Sequence, residues 1–353
     1  MKPTEITNQE RLSLAVAWVV VLWLCITISW FHYENLLHML DTGSYLDFRG
    51  GGQEDHPALY RILVPSLFHL LPERLRDLST HLNPPLDNVA SIFQIALDSL
   101  TLFLSFVFFV KAVNVALRIA TEQQPLVLVA SWLLFVYVIV FSYIMVPNRA
   151  QYFPYDFTEL FFVSLLLYFS ADTAKLRPVL FPATVFVATL NKETAIFFVL
   201  IYLIFRIPAK NWKQPIGIAA AAVVAGALAK LLALQVAAGF ASENGPGAAL
   251  YLNQLSENIA QLRNPLFWFA FTANFGFLWV ALAFRRKDIT RTQWLLCGAV
   301  VIWVGCMFVA GISRALRVYG PMGIMLAWMT LVLYLPALLQ RVKPSSPQLG
   351  PAG

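Results

Sequence analysis

The stretch TLNKETAIFF, residues 189–198, sets Asn191, Lys192, Glu193 and Thr194 inside a long apolar run. A charged side chain at mid-membrane depth costs about 2.5–3.5 kcal/mol on insertion scales, so it persists where it faces a cavity, a partner or an anion. A lysine at a break in such a run, beside the exposed N–H groups of the next helical arm, is suited to holding an anion. In that arrangement Thr194 caps the second arm and Asn191 closes the turn. The alternative is a local Lys192–Glu193 pair that only stabilises a turn. Adjacent residues on a helix diverge, so that pair requires a broken backbone.

Three other stretches carry groups of the same kind. In LLHMLDTGSYLDFRGGG, residues 36–52, Asp41 is followed by Asp47 and Arg49 before a triple glycine. A carboxylate placed there can act as a general base, although Asp-Thr-Gly is also a good turn by itself. In NRAQYFPYDFTELFF, residues 148–162, Asp156 and Glu159 occupy the first turns of a helix. Asp156 suits a helix N-terminus. Glu159 lies three residues deeper and calls for a partner, with Arg149 the candidate. In GISRALRVYGP, residues 311–321, Arg314 and Arg317 are spaced i, i+3. Two guanidinium groups on one face suit a phosphate or a carboxylate, and equally an interfacial anchor.

The elements that must position these groups are membrane helices. Of 353 residues, 59% are hydrophobic and 12% charged, with a mean hydropathy of +0.68. An ordinary soluble domain is about 25% charged. The reading is an all-α, polytopic transmembrane bundle forming a single integral domain over residues 1–340, with a disordered cytoplasmic tail at 341–353. Eight full spans are expected near 12–31, 91–110, 125–147, 158–171, 215–240, 264–284, 293–312 and 321–340, the first being retained as a transmembrane helix rather than cleaved. Amphipathic outer-side helices are expected at 56–78, with Leu59, Ile62, Leu63, Leu67 and Leu70 on the apolar side, and at 249–262.

The segment 178–205 either crosses once or dips in and returns. With a return, the inner loops hold 15 Lys/Arg in 61 residues and the outer loops 8 in 100. Positive charge collects on the cytoplasmic side, which favours a short membrane hairpin with both termini cytoplasmic. Its tip then needs cover from protein or a water-filled cavity, so a cavity open to the outer side is expected, with Lys192 at its floor. The net charge of +6 reads as topology and not as a nucleic-acid surface. His32, His38, His56, His69 and His81 fall in the first outer loop, 32–90, without metal-ligand spacing. Cys25, Cys297 and Cys306 lie in apolar runs and read as small core residues. Asp98 and Lys230 lie inside spans, at depths that do not pair them.

Together these features resemble the GT-C superfamily of polytopic glycosyltransferases, and within it the compact bacterial members. The likeness rests on the acidic first loop (LDTGSY), the Pro-Tyr segment with its amphipathic helices (HPALYRILVP), the YDFTELFF helix start, the NKET break and the late R..R..GP loop. It covers residues 32–330. It implies an enzyme of the bacterial inner (plasma) membrane that moves a sugar from a polyprenyl-phosphate carrier to a glycan or lipid acceptor on the outer, periplasmic side. By position, Asp41 becomes the catalytic base or a metal ligand, which leaves a divalent metal open and no other cofactor implied. Lys192, Arg314 and Arg317 become phosphate contacts, joined by Tyr60 and Arg61 of the Pro-Tyr segment. Asp47, Asp156, Glu159, Asn191 and Glu193 become supporting polar groups. Many members carry two adjacent acidic residues in the first loop, whereas Asp41 stands alone. The competing readings are a transporter or flippase of lipid-linked or anionic solutes, built on broken helices, and a non-catalytic assembly subunit.

Overall fold

The computed structural model describes residues 8–35, 37–38, 61–76, 89–119, 123–144, 151–152, 155–172, 177–206, 212–240, 254–275, 277–310 and 319–342. These are helical apart from one short parallel pairing, in which Leu37–His38 (β1) meets Gln151–Tyr152 (β2). The long helices are α1 (Asn8–Asn35), α4 (Val89–Leu117), α5 (Gln124–Ile139), α9 (Lys213–Phe240), α13 (Arg291–Ala310) and α14 (Gly320–Val342). A π-helical turn, Val140–Ile144, extends α5. Between them lie the short helices α2 (Leu63–His69), α3 (Glu73–Arg76), α6 (Asp156–Ala171), α7 (Arg177–Asn191), α8 (Phe198–Arg206), α10 (Gln254–Gln261), α11 (Pro265–Asn274) and α12 (Leu278–Phe284).

Among the described residues, six helices are long and apolar enough to cross a membrane, or seven spans if the bent pair α11–α12 counts as one. Two of the eight expected full spans are not among the six. Helix α6 has 16 residues, about 24 Å at 1.5 Å per residue, against a hydrocarbon core of about 30 Å. The segment 264–284 is not one continuous helix. It bends by 72° between α11 and α12, and Phe277 sits at the break with φ 55. A bulky side chain in the left-handed region is strained, so packing must hold that corner. Outward-facing positions are apolar: on α1, Leu12 is 66% and Trp23 67% exposed. A surface of that kind suits lipid, which accords with an integral membrane protein.

The core is built on α4 and α6, which pack along one another, with α1 against α4 and α14 against α5. Some polar side chains within these helices bond back to their own backbone. Ser99 and Thr101 donate back to Ile95 O (2.7 Å) and Leu97 O (2.8 Å). Where α4 and α6 approach, Ser105 Oγ donates to Leu160 O at 2.9 Å and lies 2.9 Å from Ser164 Oγ. Small hydroxylated residues let helices come close while supplying a hydrogen bond that lipid cannot. Asp98 accepts from Gln94 Nε2 at 3.0 Å within the same helix. Rings of Trp18, Phe106, Trp132 and Phe135 interlock beside this contact.

Two further expectations shift. Helix α1 runs to Asn35, so His32 is not in a loop; it is buried in the last turn with its ring 4.5 Å from that of Phe157. In α2 the residues facing the core are Val64 and Phe68, packed near Ala90 and Tyr155. Leu70 is 79% exposed, because the helix ends at His69 and the chain turns there. Helix α10 forms within the expected 249–262 segment, and Asn258 Nδ2 ties it to Phe308 O at 2.6 Å.

The close contact between α14 and α5 depends on a glycine. A methyl group added at Gly323 would lie 2.8 Å from Val138 Cγ1, and Val138 cannot swing away because its branch is at Cβ. Gly323→Ala is therefore expected to destabilise the fold by about 1–3 kcal/mol, as overpacking does. Gly298→Ala and Gly305→Ala, with nothing within 4 Å, should not. Thermal unfolding of the detergent-solubilised chain checks the contrast.

Candidate functional site

The site forms where the apolar run breaks between α7 and α8. Helix α7 ends at Asn191, and Lys192 takes an extended backbone (φ −159, ψ 125) before a 3₁₀ turn over Glu193–Phe197. That single extended residue separates the side chains of Lys192 and Glu193. Lys192 Nζ reaches Glu159 Oε2 at 2.5 Å, both side chains being 6% exposed. Glu159 Oε1 accepts from Thr194 Oγ1 at 3.2 Å. Each oxygen of this buried carboxylate thus has a donor. Asn191 Nδ2 donates to Tyr155 O at 3.3 Å, just ahead of α6.

Glu193 turns the other way. Its Oε1 lies 3.9 Å from an Arg61 nitrogen, with the Glu193 side chain 43% and the Arg61 side chain 11% exposed. The Arg61 guanidinium stacks 4.1 Å above the Tyr155 ring, an arrangement that planar, weakly hydrated arginine favours. Arg61, Lys230 and Lys192 are the cations whose charge reaches Glu193. Lys230 comes from α9, one turn beyond Gly226, where a Cβ would lie 3.2 Å from Ile196 of the 3₁₀ turn. Residues four apart share a helix face, so the close approach at Gly226 brings Lys230 to the same side.

The break is anchored at both ends against α6. Lys192 meets Glu159 near the start of α6, and the Arg206 guanidinium at the end of α8 donates to Phe169 O (3.2 Å) and Asp172 O at its finish. Phe181 of α7 stacks on Tyr202 of α8 with centroids 4.4 Å apart.

The structure assigns partners differently from the sequence. The local Lys192–Glu193 pair does not form, since each residue bonds a different element. Thr194 does not cap the second arm; it donates to Glu159, and no side chain caps the 3₁₀ turn. Glu159 is partnered by Lys192, while Arg149 lies outside the described residues. Beside the pair is a cavity of about 10 Å³ lined by Glu159, Asn191, Lys192, Thr194, Phe198 and Trp303, among others, room for about one water. Lys192 is buried beside this small pocket; the outer loops that would frame a larger cavity lie largely outside the described residues. Asp156 is buried next to this cluster, at the first position of α6. Asp41, Asp47, Tyr60, Arg314 and Arg317 lie outside the described residues. No group of three or more His, Cys, Asp or Glu among the described residues could hold a metal.

The signal that finds the Lys192–Glu159 pair in the sequence is the second carboxylate of YDFTELFF, buried and without a local partner. The Arg61–Glu193 contact has no such signal. It joins a loop residue to a helix break over a long stretch of chain.

Breaking a buried ion pair by removing one partner strands the other charge at a cost of about 3–5 kcal/mol, whereas replacing both by apolar or neutral groups of similar size is near neutral. Glu159→Gln and Lys192→Met are each expected to lower the thermal midpoint strongly, and the double variant to recover most of the loss. A double-mutant cycle on unfolding midpoints checks the coupling. No protein-family model, no curated protein and no solved structure matches the chain.

Proposed function

We propose that this chain is a membrane glycosyltransferase that moves a sugar from a polyprenyl-phosphate carrier to an acceptor hydroxyl on the outer side of the membrane. The observation that carries the reading is the charged cluster at the α7–α8 break: Arg61, Lys192, Lys230, Glu159 and Glu193 gathered at one place among apolar helices. Such clusters are costly in a membrane and are retained for function. The resemblance of the LDTGSY, HPALYRILVP and NKET segments to GT-C enzymes supplies the reaction class.

In this proposal α7 and α8 form a short re-entrant hairpin with its tip at Lys192. The Lys192–Glu159 contact at one end of α6, the Arg206 contacts at the other and the Phe181–Tyr202 stack support it. The distribution of Lys and Arg then puts the tip toward the outer side and both termini in the cytoplasm.

The charged cluster supports the roles given to Arg61, Lys192 and Glu159, and the resemblance supplies those of Asp41, Asp47, Tyr60, Arg314 and Arg317, which lie outside the described residues. Arg61 is a phosphate contact alongside Lys192, since a planar guanidinium takes a phosphate in bidentate fashion. Glu159 positions Lys192, whose charge, with that of Arg61, stabilises the leaving phosphate. Asp41 takes the proton of the acceptor hydroxyl as the acceptor oxygen bonds to the sugar's anomeric carbon. The bond from that carbon to the carrier oxygen breaks, releasing polyprenyl phosphate. Fixed cations in a site with little water stabilise the developing charge better than solvent does. Arg314, Arg317 and Tyr60 are further substrate contacts, and Asp47 and Asp156 supporting acids.

One observation favours a transport reading. The chain has a second discontinuous helix, the 72° bend between α11 and α12, and paired broken helices are the build of many transporters. Uptake of a lipid-linked or anionic solute into sealed proteoliposomes, without sugar transfer, would identify that activity.

The test of the enzyme reading is incubation of the purified chain with radiolabelled polyprenyl-phosphate sugars. Transfer or slow hydrolysis of at least one donor is expected. Asp41→Asn should cut the rate by about 10²–10⁴-fold, as removal of a general base does, with membrane insertion unchanged. The Glu159→Gln/Lys192→Met double variant should fold and still lose transfer. No turnover across a donor panel would reject the proposal.

A further inference from the structure

Away from the charged break, the bent pair α11–α12 and helix α13 enclose a cleft of about 530 Å³. That is within the range of about 300–1,000 Å³ typical of ligand sites. Its walls are almost wholly apolar, with Trp268 and Phe271 at one end and Trp279, Trp294 and Val301 along it. Several of these residues are exposed: Trp279, Trp294 and Val301 present large apolar surface outward. The cleft exists because α11 and α12 diverge at the bend, so neither follows α13 along its whole length.

Among the described residues one cation lines this cleft, Arg286. Its neighbour Arg285 is engaged, with Nε 2.5 Å from Asp288 Oδ2 and its guanidinium 5.4 Å from the Tyr334 ring centroid. Arg286 is exposed and has no hydrogen bond or ion pair among the described residues. Lys287 and Arg291 add positive charge to the same short turn between α12 and α13.

The dimensions match a lipid. The cleft follows α13 from Trp294 to Val304, about 15 Å at 1.5 Å per residue. That is half of a hydrocarbon core of about 30 Å, the depth of one leaflet. Trp294 lies near the charged end, where tryptophan favours the membrane–water boundary. A cation at the boundary above a leaflet-deep apolar cleft fits a phosphate joined to an acyl chain.

We infer that this cleft binds one anionic glycerophospholipid, with its phosphate on Arg286 and one acyl chain against α11, α12 and α13, in the leaflet that carries the Arg285–Arg291 turn. The site is separate from the charged break and stands whether or not the chain transfers sugar.

Native mass spectrometry of the full detergent-solubilised chain, titrated with phosphatidylglycerol or phosphatidylcholine, tests the inference. One phosphatidylglycerol is expected to be retained about fivefold more tightly than phosphatidylcholine, the contribution of one arginine near the membrane surface. Arg286→Ala should abolish that preference. Ala283→Trp, which fills the apolar part and keeps the arginine, should reduce retention of both lipids. Lys213→Ala, on a different turn, should change neither. Inorganic phosphate alone should not raise the thermal midpoint, while phosphatidylglycerol should. Equal retention of the two lipids, an unchanged preference in Arg286→Ala, stabilisation by free phosphate alone, or a lipid-free dimer lost in Ala283→Trp would each overturn the assignment.

Discussion

The interaction on which the rest of this structure depends is the buried pair between Lys192 and Glu159, 2.5 Å apart. Neither charge is tolerable alone at that burial. Each therefore constrains the backbone that carries it. Helix α6 must begin close enough to the end of α7 for the two side chains to meet, and Lys192 must leave helical geometry to reach across. The extended φ and ψ at Lys192 are the local expression of that long-range demand. Thr194 completes the carboxylate, Asn191 ties the end of α7 to Tyr155, and the break becomes a defined corner rather than a frayed helix end.

That corner organises its surroundings. Once Lys192 is committed to Glu159, Glu193 is directed away from it and meets Arg61, which in turn lies on Tyr155. The small residues of α9 allow the 3₁₀ turn to sit close against Gly226, and Lys230 follows on the same face. The positive and negative groups alternate in space. Such a site differs from a purely cationic pocket, since Glu193 approaches Arg61 and Glu159 holds Lys192. Elsewhere hydroxyls bond within or between helices, as at Ser105 and Ser164, and the buried Asp98 is met by Gln94. The α7–α8 break differs in gathering opposite charges from separate parts of the chain.

Much of the architecture was legible from hydropathy. The six long apolar helices, the short helices at α2, α3 and α10, and the interruption at Lys192 all follow from local composition. The difference between the eight expected spans and the six long apolar helices among the described residues has a physical cause. An apolar run of about 20 residues reads as one crossing, yet hydropathy does not report a backbone corner such as Phe277, nor where α6 stops short. The apolar face assigned to Leu70 failed because helix periodicity holds only while the helix lasts, and α2 ends one residue earlier.

The amino-acid sequence by itself determined that this chain forms apolar helices and that a polar tetrad with two charges, Asn191–Thr194, interrupts an apolar run, because both depend on residue type and short spacing. Partner choice was settled only by the tertiary structure. Lys192 takes Glu159, 33 positions away, rather than adjacent Glu193, and Glu193 takes Arg61. The reason is geometric: an extended residue sends neighbouring side chains to opposite sides, and only the packed positions of α6, α7 and the residues before α2 decide which charge waits there.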